Sequence, residues 1–187
     1  MNLPADWECT LLDAALLTER EHLQQIISEM SQGVILIEPD TDIAWANRAA
    51  LRMHQVEQVS ELGANAAEYV ECFCLKFRND HELTPERYPI NRVSRHETFS
   101  DVIVQVFLRG QEGDEPLCVH SAGSLVIGDP HGSTAYYALV LTDVADQVEA
   151  EERFEAAFRA NPSPALICRL SDLRFIKVNA GFIEMTG

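Results

Sequence analysis

The sequence predicts an α+β fold, and three observations predict it. Residues 101–142 hold three strand-like runs separated by turn-forming loops. Residues 10–30 and 143–160 lack glycine and proline and are patterned as helices. A strand–turn–strand–helix pattern also occurs twice. Residues 26–55 align without a gap on the stretch 132 positions further on. Ser31-Gln32-Gly33 falls on Ser163-Pro164-Ala165, Asp40 on Asp172, Asn47 on Asn179, Leu51 on Ile183 and Met53 on Met185. Repetition on this scale indicates tandem domains. The expected organisation is an N-terminal helical segment (1–30), a complete domain (31–143), a linker helix (144–160) and a truncated second domain (161–187).

Composition narrows the function. Of the 187 residues 47% are hydrophobic, enough to fill a core. Lys and Arg number 14 against 30 Asp and Glu, for a formal net charge of −16. A nucleic-acid binder needs a basic footprint to displace condensed counterions, so this field argues against one. No apolar run approaches the roughly 18 residues of a membrane-spanning helix. Met1–Leu12 lacks the basic start of a secretory signal. Five cysteines (Cys9, Cys72, Cys74, Cys118, Cys168), odd in number and without a CxxC pair, fit reduced thiols in a cytoplasmic protein.

The elements follow in order. Between residues 10 and 30, Leu12, Leu16, Leu23, Ile26, Ile27 and Met30 form an apolar stripe among charges, as a helix packed on its own domain or on a second subunit would. Gly33–Ile37 reads as a buried strand, Pro39-Asp40-Thr41-Asp42 as a turn, Ile43–Asn47 as the partner strand, and Arg48–His54 as a helix. Residues 57–95 read as short helices with a break at Asn79-Asp80 and a restart at Thr84-Pro85-Glu86. Asp101–Arg109 alternates, with Val102, Val104, Val106 and Leu108 on one side. Gly110–Asp114 is a hairpin loop, Leu117–Ile127 the next strand, Gly128–Gly132 a turn and Thr134–Thr142 the last strand. Asp143–Ala160 is a helix whose thin apolar seam runs through Val144, Val148, Phe154 and Phe158.

Particular residues then carry a resemblance. Asn47 closes the second strand, and Asn179-Ala-Gly-Phe-Ile-Glu-Met-Thr-Gly187 follows an N-x-x-F-x-x-x-x-G pattern. Pro89-Ile90-x-x-Val93 precedes the third strand, and Thr142-Asp143-Val144 leaves the last one. In this order they resemble the PAS domain family over residues 26–145 and 157–187. The resemblance implies a five-stranded antiparallel sheet with short helices on one face. One position departs from it: Gln55 stands where the family has glycine, a residue Gly187 keeps, which puts the turn after Met53 in question.

Catalytic signatures such as GxSxG, the P-loop and HExxH are absent from the sequence. The resemblance raises three cofactor questions and settles none of them. The Cys72/Cys74 segment lies in the region of the flavin-reactive cysteine of light-sensing relatives but lacks its Asn-Cys-Arg context. His96 lies near the place of a haem-ligating histidine. Tyr88, Arg92 and His96, spaced i, i+4, i+8, would line one ligand if the helix ran through them, the bland alternative being a charged, exposed face. Trp45, aligned with Lys177, is expected on the outer face of the sheet beneath a cover.

By resemblance, the chain is expected to be the sensory and dimerisation part of a bacterial signalling protein. Its effector would be a histidine kinase, and its homodimer would form through the N-terminal and linker helices. A small ligand would occupy a cavity beside Val104, Val106, His120 and Tyr137, with Tyr88, Arg92 and His96 on its rim. The rival is a ligand-free assembly module with that space packed shut. The small residues Ser121–Ser124 suit either room for a ligand or a close approach of backbone.

Overall fold

A computed structural model describes residues 25–40, 42–111, 115–128 and 135–187. The chain divides into two compact units after Asp143. Most of the N-terminal helix expected at 10–30 lies outside the described residues, of which 25–29 are helical.

In the first unit, strands β1 (Gly33–Ile37) and β2 (Ile43–Ala46) form a hairpin leading into helix α1 (Arg48–Met53). A 3-10 turn (Val59–Leu62) and helix α2 (Ala66–Cys72) follow, then β3 (Phe73–Lys76), a second 3-10 turn (Pro85–Arg87) and helix α3 (Pro89–Ser94). Three long strands finish the unit: β4 (Val102–Leu108), β5 (Cys118–Gly128) and β6 (Ala135–Asp143). All neighbours are antiparallel, in the order β2-β1-β6-β5-β4-β3.

The α+β class with short helices against an antiparallel sheet is as the sequence predicted, with a sixth strand added at the edge. Strand β3 continues directly from α2 without glycine or proline, and its residues Phe73, Cys74 and Leu75 are all buried. Burial on both faces removes the alternation by which a strand is read from sequence.

Alternation does set the core elsewhere. Ile35 and Ile37 of β1, Val104 and Val106 of β4, and Leu139 and Leu141 of β6 are 0–2% exposed and meet Ala50, Leu62, Ile90 and Val93 from the helical side. Leu108, expected on this face, ends its strand exposed. Trp45 pairs with Leu36 on the opposite face and is half-buried.

The second unit comprises helix α4 (Ala145–Ala160), hairpin β7 (Leu166–Cys168) and β8 (Phe175–Val178), and helix α5 (Ala180–Thr186). On α4, Phe154 and Phe158 stack at 5.9 Å. The hairpin repeats the first one closely. Asn47 caps α1 and Asn179 caps α5, and each side chain makes four hydrogen bonds. Asn47 Oδ1 accepts from the Val34 and Ala50 amides, while Nδ2 donates to the Ile27 and Gln32 carbonyls (2.9–3.0 Å). Asn179 Oδ1 accepts from Ala165 and Phe182, while Nδ2 donates to Asn161 and Ser163 (2.8–2.9 Å). Both hairpins also carry a bulge at the same place, where Leu36↔Trp45 gives way to Ile37↔Ile43 and Ile167↔Lys177 to Cys168↔Phe175.

These pairings correct the gap-free alignment. Val34 corresponds to Ala165 and Gln32 to Ser163, so the first strand is offset by 131 and everything after the turn by 132. The extra residue lies in the turn. The amide of Glu38 bonds to the Asp42 carbonyl, whereas its counterpart Arg169 reaches one residue further, to Arg174. Leu173 takes a left-handed φ of 55° within the longer loop.

Candidate functional site

Tyr88, Arg92 and His96 do not form the single helical stripe that their spacing predicted. Helix α3 ends at Ser94, and His96 adopts φ 63°, a left-handed conformation that breaks the helix without a glycine. Tyr88 precedes the helix and is fully buried. Its hydroxyl donates to the Phe73 carbonyl (3.3 Å) and accepts from the Leu75 amide (3.1 Å) and Arg109 Nη2 (3.2 Å), which ties α3 to strand β3. Arg92 pairs with Glu97 (2.7 Å) and lies 4.2 Å over the Phe99 ring.

His96 turns toward the sheet. Its Nδ1 is hydrogen-bonded to the Tyr137 hydroxyl, and the two rings meet edge to face at 4.7 Å. The loop between α3 and β4 lies directly on β5. The Phe99 amide donates to Ser124 Oγ (2.9 Å), Ser124 Oγ donates to the Glu97 carbonyl (3.1 Å), and a Cβ on Gly123 would stand 3.6 Å from the Phe99 carbonyl. Ser124 thus holds this loop against β5, while at Gly123 an added Cβ would make only an ordinary contact with it.

Val104, Val106, His120 and Tyr137 are 0–7% exposed. None of them lines the three clefts described next. One cleft of about 350 Å³ lies between Phe77, Arg87, Arg92 and Val102. A second, of about 310 Å³, shares Phe77 and Arg87 and extends to Asn79, His81 and Thr84. The third, about 330 Å³, is lined by residues including Ser31, Arg52, Cys118 and Asp143. Of the expected site residues only Arg92 borders any of these.

His120 instead belongs to a buried polar cluster that the sequence reading missed. His54, at the end of α1, is 1% exposed, with Nδ1 2.8 Å from the Ala50 carbonyl and Nε2 2.7 Å from the Tyr69 hydroxyl. A carbonyl oxygen can only accept, so Nδ1 carries the proton and bare Nε2 accepts from Tyr69. His120 lies 6.0 Å from the His54 ring, with its Nδ1 3.5 Å from Cys118 Sγ.

Burial dominates the electrostatics here. It lowers the pKa of His54 to about 4 and, with help from neighbouring His54, that of His120 to about 3. Burial also raises Cys118 to about 12, with the Asp143 carboxylate adding to it, and pushes Tyr69 well above its usual range. At neutral pH the cluster is uncharged and offers neither a thiolate nor an imidazole poised for proton transfer. Cys74 is buried on the outer face beside Phe107, and Cys72 is half-buried at the end of α2. Among the described residues no group of three or more His, Cys, Asp or Glu is placed to hold a metal ion.

The counterpart of His54 in the second copy is Thr186, and both side chains donate to the carbonyl four residues back, His54 to Ala50 and Thr186 to Phe182 (2.9 Å).

A protein-family model of the PAS domain matches residues 21–88 and 152–187, one stretch in each copy. The chain belongs to the PAS domain family. PAS domains are in general sensory modules of signalling proteins rather than catalysts. Among solved structures, the chain is similar to the E. coli DhaR(N)-DhaL complex at 16% identity and a TM-score of 0.45, covering 73% of this chain and 41% of that one. It is also similar to the PAS domain of Bordetella pertussis BvgS, at 14% identity and a TM-score of 0.45, covering 77% of this chain and 98% of that one. No curated protein matches the sequence. Among the described residues, no helix of this PAS protein is long and apolar enough to cross a membrane.

Proposed function

We propose that the chain is the sensory and dimerisation module of a cytoplasmic bacterial signal-transduction protein whose effector is a histidine kinase. In this reading a small ligand or a protein partner acts on the α3 side of the first PAS domain. Tyr88, Arg92, His96, Val104, Val106, His120 and Tyr137 connect that side to the sheet, and the response leaves through α4 in a homodimer. The observation that carries the reading is the His96–Tyr137 contact. It joins the end of α3 to β6, and Val144 alone separates β6 from α4. A displacement of α3 therefore has a short physical route to the linker, provided β6 has two packings of similar energy.

The test is amide exchange across Ala145–Ala160 in the wild-type chain and in Tyr137→Phe, with molecular mass measured by sedimentation. Altered exchange in α4 with an unchanged fold supports relay, and identical exchange counts against it. A second reading, a ligand-free assembly module, is favoured by the near-zero exposure of Val104, Val106 and His120. An absorption spectrum, with mass spectrometry of anything released on denaturation, separates the two. A bound molecule supports the sensor, and nothing released supports assembly.

A further inference from the structure

The clefts on the α3 side gather positive charge in a strongly acidic protein. The formal net charge is −16, yet the cleft of about 350 Å³ is lined by Phe77, Arg87, Arg92 and Val102, two guanidinium groups and no carboxylate. The adjoining cleft shares Phe77 and Arg87, and its one carboxylate, Glu82, pairs with Arg109 at 3.5 Å. Local structure holds Arg92 in place. Its guanidinium lies 4.2 Å over the Phe99 ring, and its Nε donates to Glu97 (2.7 Å). Arg95 binds the same carboxylate at 3.0 Å, so Glu97 serves two guanidiniums. Among the described residues the terminal nitrogens of Arg92 make no hydrogen bond. The exposed Arg87 side chain makes neither a hydrogen bond nor an ion pair there.

The other walls are apolar. Phe77 and Val102 are partly buried and pack against the core, which fixes that side of the cleft. The volume suits a small molecule, since such sites begin at about 300 Å³. A guanidinium presents paired N–H donors in a planar fork that matches a carboxylate. We infer that this cleft binds a small organic anion, a carboxylate on a compact apolar body. The carboxylate would sit between Arg87 and Arg92, and the body against Phe77 and Val102. This names a ligand class for the α3 side and rests on the reading of that side as the place where a ligand acts.

The experiment titrates the full chain with benzoate, naphthoate, benzamide and inorganic phosphate while backbone amide resonances are followed. At least one aryl carboxylate should give saturable shifts at Phe77, Arg92 and Val102. Benzamide, a ring without the charge, and phosphate, a charge without the ring, should each bind about ten-fold more weakly or worse. Arg87→Gln should weaken the carboxylate by about ten-fold or more, with unchanged β1 and β6 resonances showing that the first unit still folds. The benzamide comparison needs no variant, so a misfolded Arg87→Gln does not remove the test. Four results overturn the inference: no saturable shift from either carboxylate, equal binding of benzamide, equal binding of phosphate, or full affinity in a folded Arg87→Gln chain. Amide exchange in α4 separates this inference from the relay. Carboxylate binding with unchanged exchange at Ala145–Ala160 would keep the ligand class and sink the relay. Altered α4 exchange in Tyr137→Phe without carboxylate binding would do the reverse.

Discussion

Gln55 and Gly187 occupy the same place after the repeated helix, and both hold a left-handed backbone, with φ of 54° and 86°. The turn that the Gln55 substitution put in question is therefore kept, at a steric cost that glycine does not bear. Gln55→Gly is expected to raise the stability of the first unit by about 1 kcal/mol, offset in part by the greater freedom of glycine in the unfolded chain. Urea unfolding monitored in both chains would show a higher midpoint at unchanged slope. An equal or lower midpoint would mean that the weak Gln55–Leu117 hydrogen bond (3.4 Å) contributes more than the backbone costs.

Asn47 holds β1, the cap of α1 and two carbonyls at once. Asn47→Ala removes the cap and leaves buried polar groups unmatched, a loss of about 2–4 kcal/mol. Asn47→Asp keeps the two accepted bonds but turns a carboxylate toward the Ile27 and Gln32 carbonyls, so it should restore little. Chemical denaturation of the three chains is the check, and a loss below about 1 kcal/mol for the alanine variant would contradict the role given to this residue.

The first unit should lose stability in mild acid. His54 and His120 have folded pKa values of about 4 and about 3, below the ordinary 6.5. Above pH 6.5 both are neutral in either state and cost nothing. As pH falls below 6.5 the unfolded chain takes up protons that the folded chain refuses. Stability then drops by up to about 1.4 kcal/mol per pH unit for each histidine. The loss from His54 levels off near pH 4 and that from His120 near pH 3. Unfolding midpoints between pH 7 and pH 4.5 should fall more steeply in wild type than in His120→Asn. Parallel slopes would show that neither the burial nor the neutral state assigned to His120 holds.

Thiol labelling should sort the cysteines by burial and by ease of ionisation. Cys74 is 1% exposed; Cys118 is half-buried like Cys72 and Cys168, but its pKa is raised to about 12. Brief alkylation at pH 8 followed by peptide mass spectrometry is expected to modify Cys72 and Cys168 well before Cys74 and Cys118. Adding denaturant should erase the difference. Rapid labelling of Cys118 in the native chain would mean that the cluster with His120 opens readily.

Where the sequence was legible, periodicity and punctuation agreed. β4 to β6 alternate or are bounded by turn residues, and the repeated Asn47 and Asn179 mark both helix starts. The readings failed where a local signal was missing. Phe73–Lys76 lacks alternation because both of its faces are covered. The spacing of Tyr88, Arg92 and His96 implies one helix, yet the chain turns at His96 in a conformation that glycine usually announces. The buried cluster joins His54, Tyr69, Cys118 and His120 across long sequence separations, and only the tertiary fold brings them together. The alignment of the copies hid its one-residue step because Asp40 and Asp172, one in each turn, fall together when the step is ignored.

That step has a practical consequence. The two hairpins differ by one residue at the tip, yet the clasp, the bulge and the cap beneath it are the same in both. The tip at residues 38–42 is accordingly a place where a reporter peptide or a fluorophore-bearing insertion can be attached while the sheet below keeps its register.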